Sequence, residues 1–323
     1  MRQERVWVLG DDRPGNVAQC VGVAEALGEP FRQLDVRYTI HSNWHNLLRA
    51  SSLFGIARRS RRALTPPWPV LAIAAGRRTA PLARWLKKRH GVRLVQIMDP
   101  GWPGRGDFDL IATPRHDQMP LAANIIETIG SCHRASPALL AREGAVWAER
   151  LAALPRPWLV LSVGGATKEY DFPLAQAHQL ARQTLALAQS LGGSLLVATS
   201  RRSGGVLTRF LQGELAAAPH LYFHPWSPRG DNPYLGFIAC ADALVVTGDS
   251  MNMCSEACAN GGPVFIFNPP GLVNDKHARL HQQLFDMGYA RPLGGDPTPW
   301  THPPLNAALE VAEAVRARGL LTG

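Results

Sequence analysis

The chain has 323 residues, more than one ordinary hydrophobic core accommodates, so about two domains are expected. Its 46% apolar content suits packed domains, but no uninterrupted apolar run reaches the ~18 residues of a spanning helix, and five cysteines with no CxxC pair exclude a disulfide scaffold and a cysteine-based zinc site. The formal charge of +9 lies wholly in residues 1–150, with 22 Lys and Arg against 13 Asp and Glu, whereas residues 151–323 balance at 12 against 12.

The opening MRQERVWVLGDD runs straight into a strand and lacks the charged, apolar and small-residue succession of a signal peptide, so a cytosolic protein is expected. Apolar strands at 5–9, 31–35, 70–74, 94–97 and 110–112 alternate with helical stretches, the first near 16–27. Pro155 and Pro157 break the pattern as a linker would. The alternation then restarts, with strands at 158–163, 194–199, 221–223, 243–247 and 264–267 and helices at 175–190, 205–212, 234–239 and 251–260. A final helix over 305–318 is expected to pack back on the first domain. This βα alternation predicts an α/β chain of two doubly wound, Rossmann-like domains, 1–153 and 154–323, facing across a cleft. Ligands of such sheets bind at the carboxyl ends of the strands, so the strand-end loops carry the functional reading.

The first loop, Gly10-Asp11-Asp12-Arg13-Pro14-Gly15-Asn16 with Gln19 on the following helix, fits neither GxGxxG nor a P-loop. Its Asp pair supplies two candidates for a general base, Asp11 and Asp12, that would deprotonate an acceptor hydroxyl. Gly164-Gly165-Ala166-Thr167-Lys168 follows a strand, where glycines let a backbone approach a ligand and Thr167 and Lys168 can meet phosphate oxygens. Ser200-Arg201-Arg202 places planar, bidentate cations at another strand end. Trp226 and Asn232 stand in a Pro-rich segment that can wall a flat base. Gly248-Asp249-Ser250 opens a helix whose first N–H groups and dipole make an anion site. Glu256, six residues past Ser250, is too far along to close a capping box and is placed to take hydrogen bonds from two ribose hydroxyls. Asn274-Asp275-Lys276-His277 is expected to close over the sugar.

The basic half, densest at Arg58-Arg59-Ser60-Arg61-Arg62 and around Trp85, Lys87, Lys88 and Arg89, should meet something anionic: a lipid surface, a phosphorylated acceptor or a nucleic acid. A nucleic acid is set aside because no aromatic stacking platform or reading helix is present.

Six motifs then resemble a known family: Pro14 to Gln19, GGATKEY from Gly164, TSRRS from Thr199, DNPYLGFIACAD from Asp231, VVTGDSMNMCSEA from Val245, and the region of Lys276, Arg279 and His281. Together they are similar to the mitochondrial fission protein family of plants and proteobacteria, and the segment around Glu256 resembles the donor-binding helix of GT-B-type glycosyltransferases. Asn16 stands where many relatives carry His, and Gly248 where Ala is usual. The resemblance implies a GT-B-like fold and sugar transfer from a nucleoside diphosphate sugar, inverting and without a metal or other cofactor. Donor binding would fall to Gly164, Gly165, Thr167, Lys168, Ser200, Arg201, Trp226, Asn232, Asp249, Ser250, Met251, Asn252 and Glu256. Acceptor binding would fall to Pro14, Gly15, Asn16 and Gln19, and catalysis to Asp11 or Asp12. Two other readings share the fold: a nucleoside-diphosphate-sugar 2-epimerase, and a non-enzymatic scaffold of the fission type. A glycolipid or saccharide acceptor would place the protein peripherally at the inner face of a membrane.

Overall fold

The computed structural model describes residues 4–322. The chain divides into two compact units, Met1–Arg134 with Asn306–Gly323, and Ala135–Leu305. In the first unit the elements are β1 (Val6–Gly10), α1 (Pro14–Leu27), β2 (Phe31–Asp35), α2 (Asn46–Arg49), α3 (Arg58–Arg62), β3 (Leu71–Ala75), α4 (Gly76–His90), β4 (Arg93–Ile97), β5 (Leu110–Pro114) and β6 (Ile125–Thr128). In the second they are α5 (Pro137–Arg150), β7 (Trp158–Val163), α6 (Leu174–Leu191), β8 (Ser194–Thr199), α7 (Gly204–Glu214), β9 (Leu221–His224), α8 (Tyr234–Cys240), β10 (Ala243–Thr247), α9 (Met251–Ala257), β11 (Val264–Phe267), α10 (Asp275–Asp286) and β12 (Arg291–Pro292). The chain then returns to the first unit with α11 (Ala307–Ala317).

Each unit holds one six-stranded sheet, ordered β2-β1-β3-β4-β5-β6 and β12-β11-β10-β7-β8-β9, and every pairing is parallel. Parallel strands need crossover connections, and the helices that make them cover both faces, which is why strands such as VWVLG and LAIAA are apolar at every position rather than alternately. In the first unit Val6, Val8, Ile73 and Val95 pack with α1 and α11, while Trp7, Leu9, Ala72 and Leu94 pack with α4 on the opposite face. In the second unit Leu159, Leu161, Val197 and Val245 pack with α6 and α7.

The expected boundary at residue 153 falls beyond α5. That helix packs on α8 of the second unit: the Trp147 and Phe237 rings lie 5.3 Å apart, and a Cβ on Gly236 would overlap Trp147. Residues 274–277, expected to close over the sugar, form the cap and first turn of α10, with Asn274 as the cap. Strand β6 was not expected from the sequence. It pairs with β5 and ends the sheet order. Between β2 and β3 the chain leaves the sheet as a loop closed by a bridge between Tyr38 and Ile56.

Candidate functional site

The two strand orders differ, and each has a point where the winding reverses. Counted along the chain, the second sheet reads 3-2-1-4-5-6, so its reversal lies between β7 and β10. The first reads 2-1-3-4-5-6, with the reversal between β1 and β3. The loops leaving these four strands carry most of the polar residues singled out by the sequence.

At the β7/β10 point the backbone of Gly164 and Gly165 is locked to its neighbours. Gly164 N donates to Thr247 Oγ1 (2.8 Å) at the end of β10, and Gly165 N donates to Asp249 Oδ2 (3.1 Å). A Cβ on Gly164 would overlap the Asp249 carboxylate. Gly165, at φ 136°, lies so close to the backbone of Arg202 and Ser203 that a Cβ there would overlap them too. Ser200 and Ser203 both donate to Gly164 O, at 2.5 and 2.6 Å. Ser200 also caps the turn that follows β8, so its hydroxyl is occupied by the loop itself.

Asp249 is buried and pairs with Arg202 Nη2 at 2.7 Å, and Arg202 Nη1 donates to Gly165 O. Burial pushes the Asp249 carboxyl above the usual range, against the pull of Arg202. Of the two arginines it is therefore Arg202 that turns inward, while Arg201 is exposed, as is Lys168. Thr167 accepts from the N–H groups of Glu169 and Tyr170 and shapes its own loop.

Ser250 caps α9 by accepting from Met253 N, which leaves the N–H groups of Met251 and Asn252 in the first turn without an intrahelical acceptor. Glu256 is half-buried near the end of α9, and Tyr234 Oη of α8 donates to its Oε2 at 2.7 Å. Burial pushes this carboxyl up to about 7, with the tyrosine hydrogen bond opposing the rise. Asn232 accepts from Tyr234 N and so holds the start of α8, while Trp226 is an exposed ring.

A pocket of about 260 Å³ opens beside Asp249, lined by Thr167, Lys168, Leu272, Asn274 and His277 among others. Asn274 ties its walls together, donating to Glu169 Oε2 (2.9 Å) and accepting from His277 N (3.2 Å). Burial holds His277 below the usual imidazole value, with Asp249 opposing. Nothing local in the sequence marks Tyr234 as the partner of Glu256, because the two stand on separate helices.

At the β1/β3 point Asp11 accepts from Arg13 N (2.9 Å) and from Asn16 Nδ2 (2.8 Å). Burial raises the Asp11 carboxyl, while the ion pair with Arg78 (2.6 Å) lowers that of the more exposed Asp12. Pro14 opens α1, Gly15 is part of its first turn, and Gln19 is buried within it. A pocket of about 530 Å³ adjoins Asp11, Asp12 and Pro14 and is floored by Val17, Val21 and Phe31. Among the described residues no three His, Cys, Asp or Glu side chains come together as metal ligands, and no helix is long and apolar enough to cross a membrane.

The sequence model of the mitochondrial fission ELM1 family matches residues 14–319. The mitochondrial fission protein ELM1 of Arabidopsis thaliana is 26% identical over 97% of this chain and 90% of its own. Among solved structures, the UDP-GlcNAc 2-epimerase of Methanocaldococcus jannaschii superposes with a TM-score of 0.54 at 10% identity, over 97% of this chain and 99% of that one. The UDP-GlcNAc 2-epimerase of Neisseria meningitidis, solved with UDP-GlcNAc bound, superposes at 0.52 and 12% identity, over 98% and 100%. These likenesses show a GT-B-like fold. The length of the family match shows more: the chain belongs to the mitochondrial fission ELM1 family.

Proposed function

We propose that the protein transfers a sugar from a nucleoside diphosphate sugar to a glycolipid or saccharide acceptor, with inversion and without a metal ion. The observation that carries this reading is the β7/β10 reversal, where the Gly164-Gly165 backbone, the start of α9 and the pocket beside Asp249 adjoin one another while Glu256 waits further along the same helix. Nucleotides bind at such reversals in doubly wound sheets. The N–H groups of Met251 and Asn252 with the Lys168 and Arg201 cations would hold the diphosphate, and Glu256 the ribose. Trp226 and Asn232 would stand beside the base. Negative charge grows on the leaving diphosphate during transfer, so cations and helix N–H groups fixed there stabilise the transition state.

Asp11 is the better base of the pair. A carboxylate raised by burial takes a proton more readily than one held down by an arginine, as Asp12 is. The Asp11 pocket, with Pro14, Gly15, Asn16 and Gln19, would receive the acceptor. The basic first unit would face an anionic acceptor or the inner face of a membrane.

The test is a thermal-shift series with uridine, guanosine, adenosine and thymidine diphosphates and CMP, on the wild type and Glu256→Ala. Uridine nucleotides come first because the Neisseria protein binds UDP-GlcNAc on this fold. Millimolar ligand at micromolar affinity adds about 4 kcal/mol to stability. A shift with one nucleotide that the variant loses supports the reading. Conversion of the free nucleotide sugar with no acceptor present would replace transfer by 2-epimerisation. No shift with any nucleotide would leave a scaffold.

A further inference from the structure

In the loop that leaves the first sheet between β2 and β3, residues 40–54 bury polar side chains and expose large apolar ones. Three of its polar residues are buried: Ser42, Asn46 and Arg49 have relative exposures of 2%, 1% and 1%. Asn46 Nδ2 donates to the carbonyls of Arg77 and Pro100, and Arg49 donates to those of Ser42 and Arg78. These bonds pin the loop to the start of α4 and to the segment after β4. Its apolar residues point the other way, with Ile40 82% exposed, Leu48 69%, Leu47 55%, Trp44 49% and Phe54 40%. They form a built surface. The Trp44 and Phe54 rings lie 5.5 Å apart with His41 5.1 Å from Phe54, and Trp102, itself 62% exposed, lies 6.3 Å from His45.

A loop that needed only to be dissolved would show the opposite pattern. Scattered exposed apolar residues are ordinary, but a contiguous group held outward by a buried polar framework marks a surface meant to be covered. Charge decides what covers it. From Asp35 to Asp99 the chain carries 13 Lys and Arg and no acidic residue between those two aspartates. The loop's base, closed by the bridge between Tyr38 and Ile56, leads directly into α3, whose Arg58, Arg59, Arg61 and Arg62 are all exposed. The nearest carboxylates, Asp12 and Asp99, are ion-paired with Arg78 and Arg105. Apolar tips with tryptophan, carried on a stretch whose own charges are all basic, match the boundary of an anionic bilayer, where rings and aliphatic chains enter the headgroup region and cations meet lipid phosphates.

We infer that residues 40–54 with Trp102 form a membrane-docking face that inserts Ile40, Trp44, Leu47, Leu48 and Phe54 into an anionic lipid surface, with α3 supplying the electrostatic contact. This rests on the membrane-facing part of the proposed function and names the residues that carry it. The nucleotide reading stands or falls separately.

Flotation with phosphatidylcholine vesicles, with and without phosphatidylglycerol, tests it on the full chain. The wild type is expected to float with the anionic vesicles and to keep part of that binding at high salt, which insertion resists and charge attraction does not. Ile40→Ser with Leu48→Ser should bind at least about tenfold more weakly, since each side chain loses the transfer of its apolar area. Both positions are exposed, so the unfolding temperature and any nucleotide response should be those of the wild type. Arg58→Glu with Arg62→Glu should lose binding at low salt above all. Absence of wild-type flotation at low salt overturns the inference together with the membrane part of the function, while the nucleotide assay stays informative. Equal binding by the Ser variant would mean that charge alone docks the protein, which also overturns it. A concentration-dependent dimer that the Ser variant abolishes would assign the face to a second copy of this chain instead.

Discussion

At Glu256 the proposed ribose contact turns on the protonation state of one side chain. Its carboxyl sits at about 7 in the folded protein against an ordinary 4.5, so between those values the folded chain holds a proton that the unfolded chain has released. Stability from this group is therefore fully present below about 4.5 and is lost as pH rises through about 7. Unfolding by denaturant across that range should show a slope in the wild type that Glu256→Gln lacks. Ribose hydroxyls donate to a carboxylate, so nucleotide affinity should rise as pH passes through about 7 and should be flat in the Gln variant, as titration calorimetry would read. Tyr234→Phe removes the hydrogen bond that restrains the rise, and the midpoint of that binding curve should then move upward. The sequence makes Glu256 conspicuous as a carboxylate beyond capping distance, but Tyr234 stands on another helix and leaves no local trace. The choice between Arg201 and Arg202 was equally hidden: it depends on the short turn that Ser200 caps, which swings the second guanidinium onto Asp249.

The loops between elements owe their shape to small residues and caps. At Gly248 a Cβ would sit 2.5 Å from His281 Cε1 and 3.2 Å from Phe267 O, while His281 Nε2 lies 3.0 Å from Gly248 O. Gly248→Ala should cost about 1–3 kcal/mol by overpacking, and His281→Ala in the same chain should recover part of it, which a double-mutant cycle would read as coupling. Asn274→Ala removes the cap of α10 and its tie to Glu169 together. A loss of about 1 kcal/mol is expected in chemical denaturation, with weaker binding in the adjoining pocket. Strands β7, β8, β10 and β11 lie where the sequence puts them, because runs of four to six residues buried on both faces leave little freedom of placement. Helix α10 escaped because DKHARLHQQLFD buries only Leu280, His281 and Leu284, and a buried histidine among polar residues does not read as a helical stripe. Strand β6 escaped because it is four residues long and ends in Glu127-Thr128 at the sheet edge.

At the scale of the whole molecule the chain order and the spatial order differ. Helix α11 follows the entire second unit in sequence yet supplies Ala307, Ala308, Val311, Ala312 and Val315 to the core of the first. The alternation of strands and helices reveals two sheets; the expectation that the last helix packs back on the first unit comes from its position after the second, not from periodicity, which does not by itself choose between the sheets. A chain ending at residue 305 should lose the cooperative unfolding of the first unit while retaining that of the second, visible as one missing transition in calorimetry and rapid proteolysis within residues 4–134. The lost apolar burial, roughly 5 kcal/mol or more, is comparable with the net stability of a domain. The same arrangement sets an order of events during synthesis. Residues 135–305 are contiguous and can complete their fold as they leave the ribosome. Residues 4–134 emerge earlier and must wait, with Val6, Val8, Ile73 and Val95 incompletely covered, until the last helix is translated. Domains usually mature from the amino terminus onward. Here the second unit is expected to mature first, and the nascent chain carries an unsealed apolar face through most of its translation, a natural place for a chaperone to hold it.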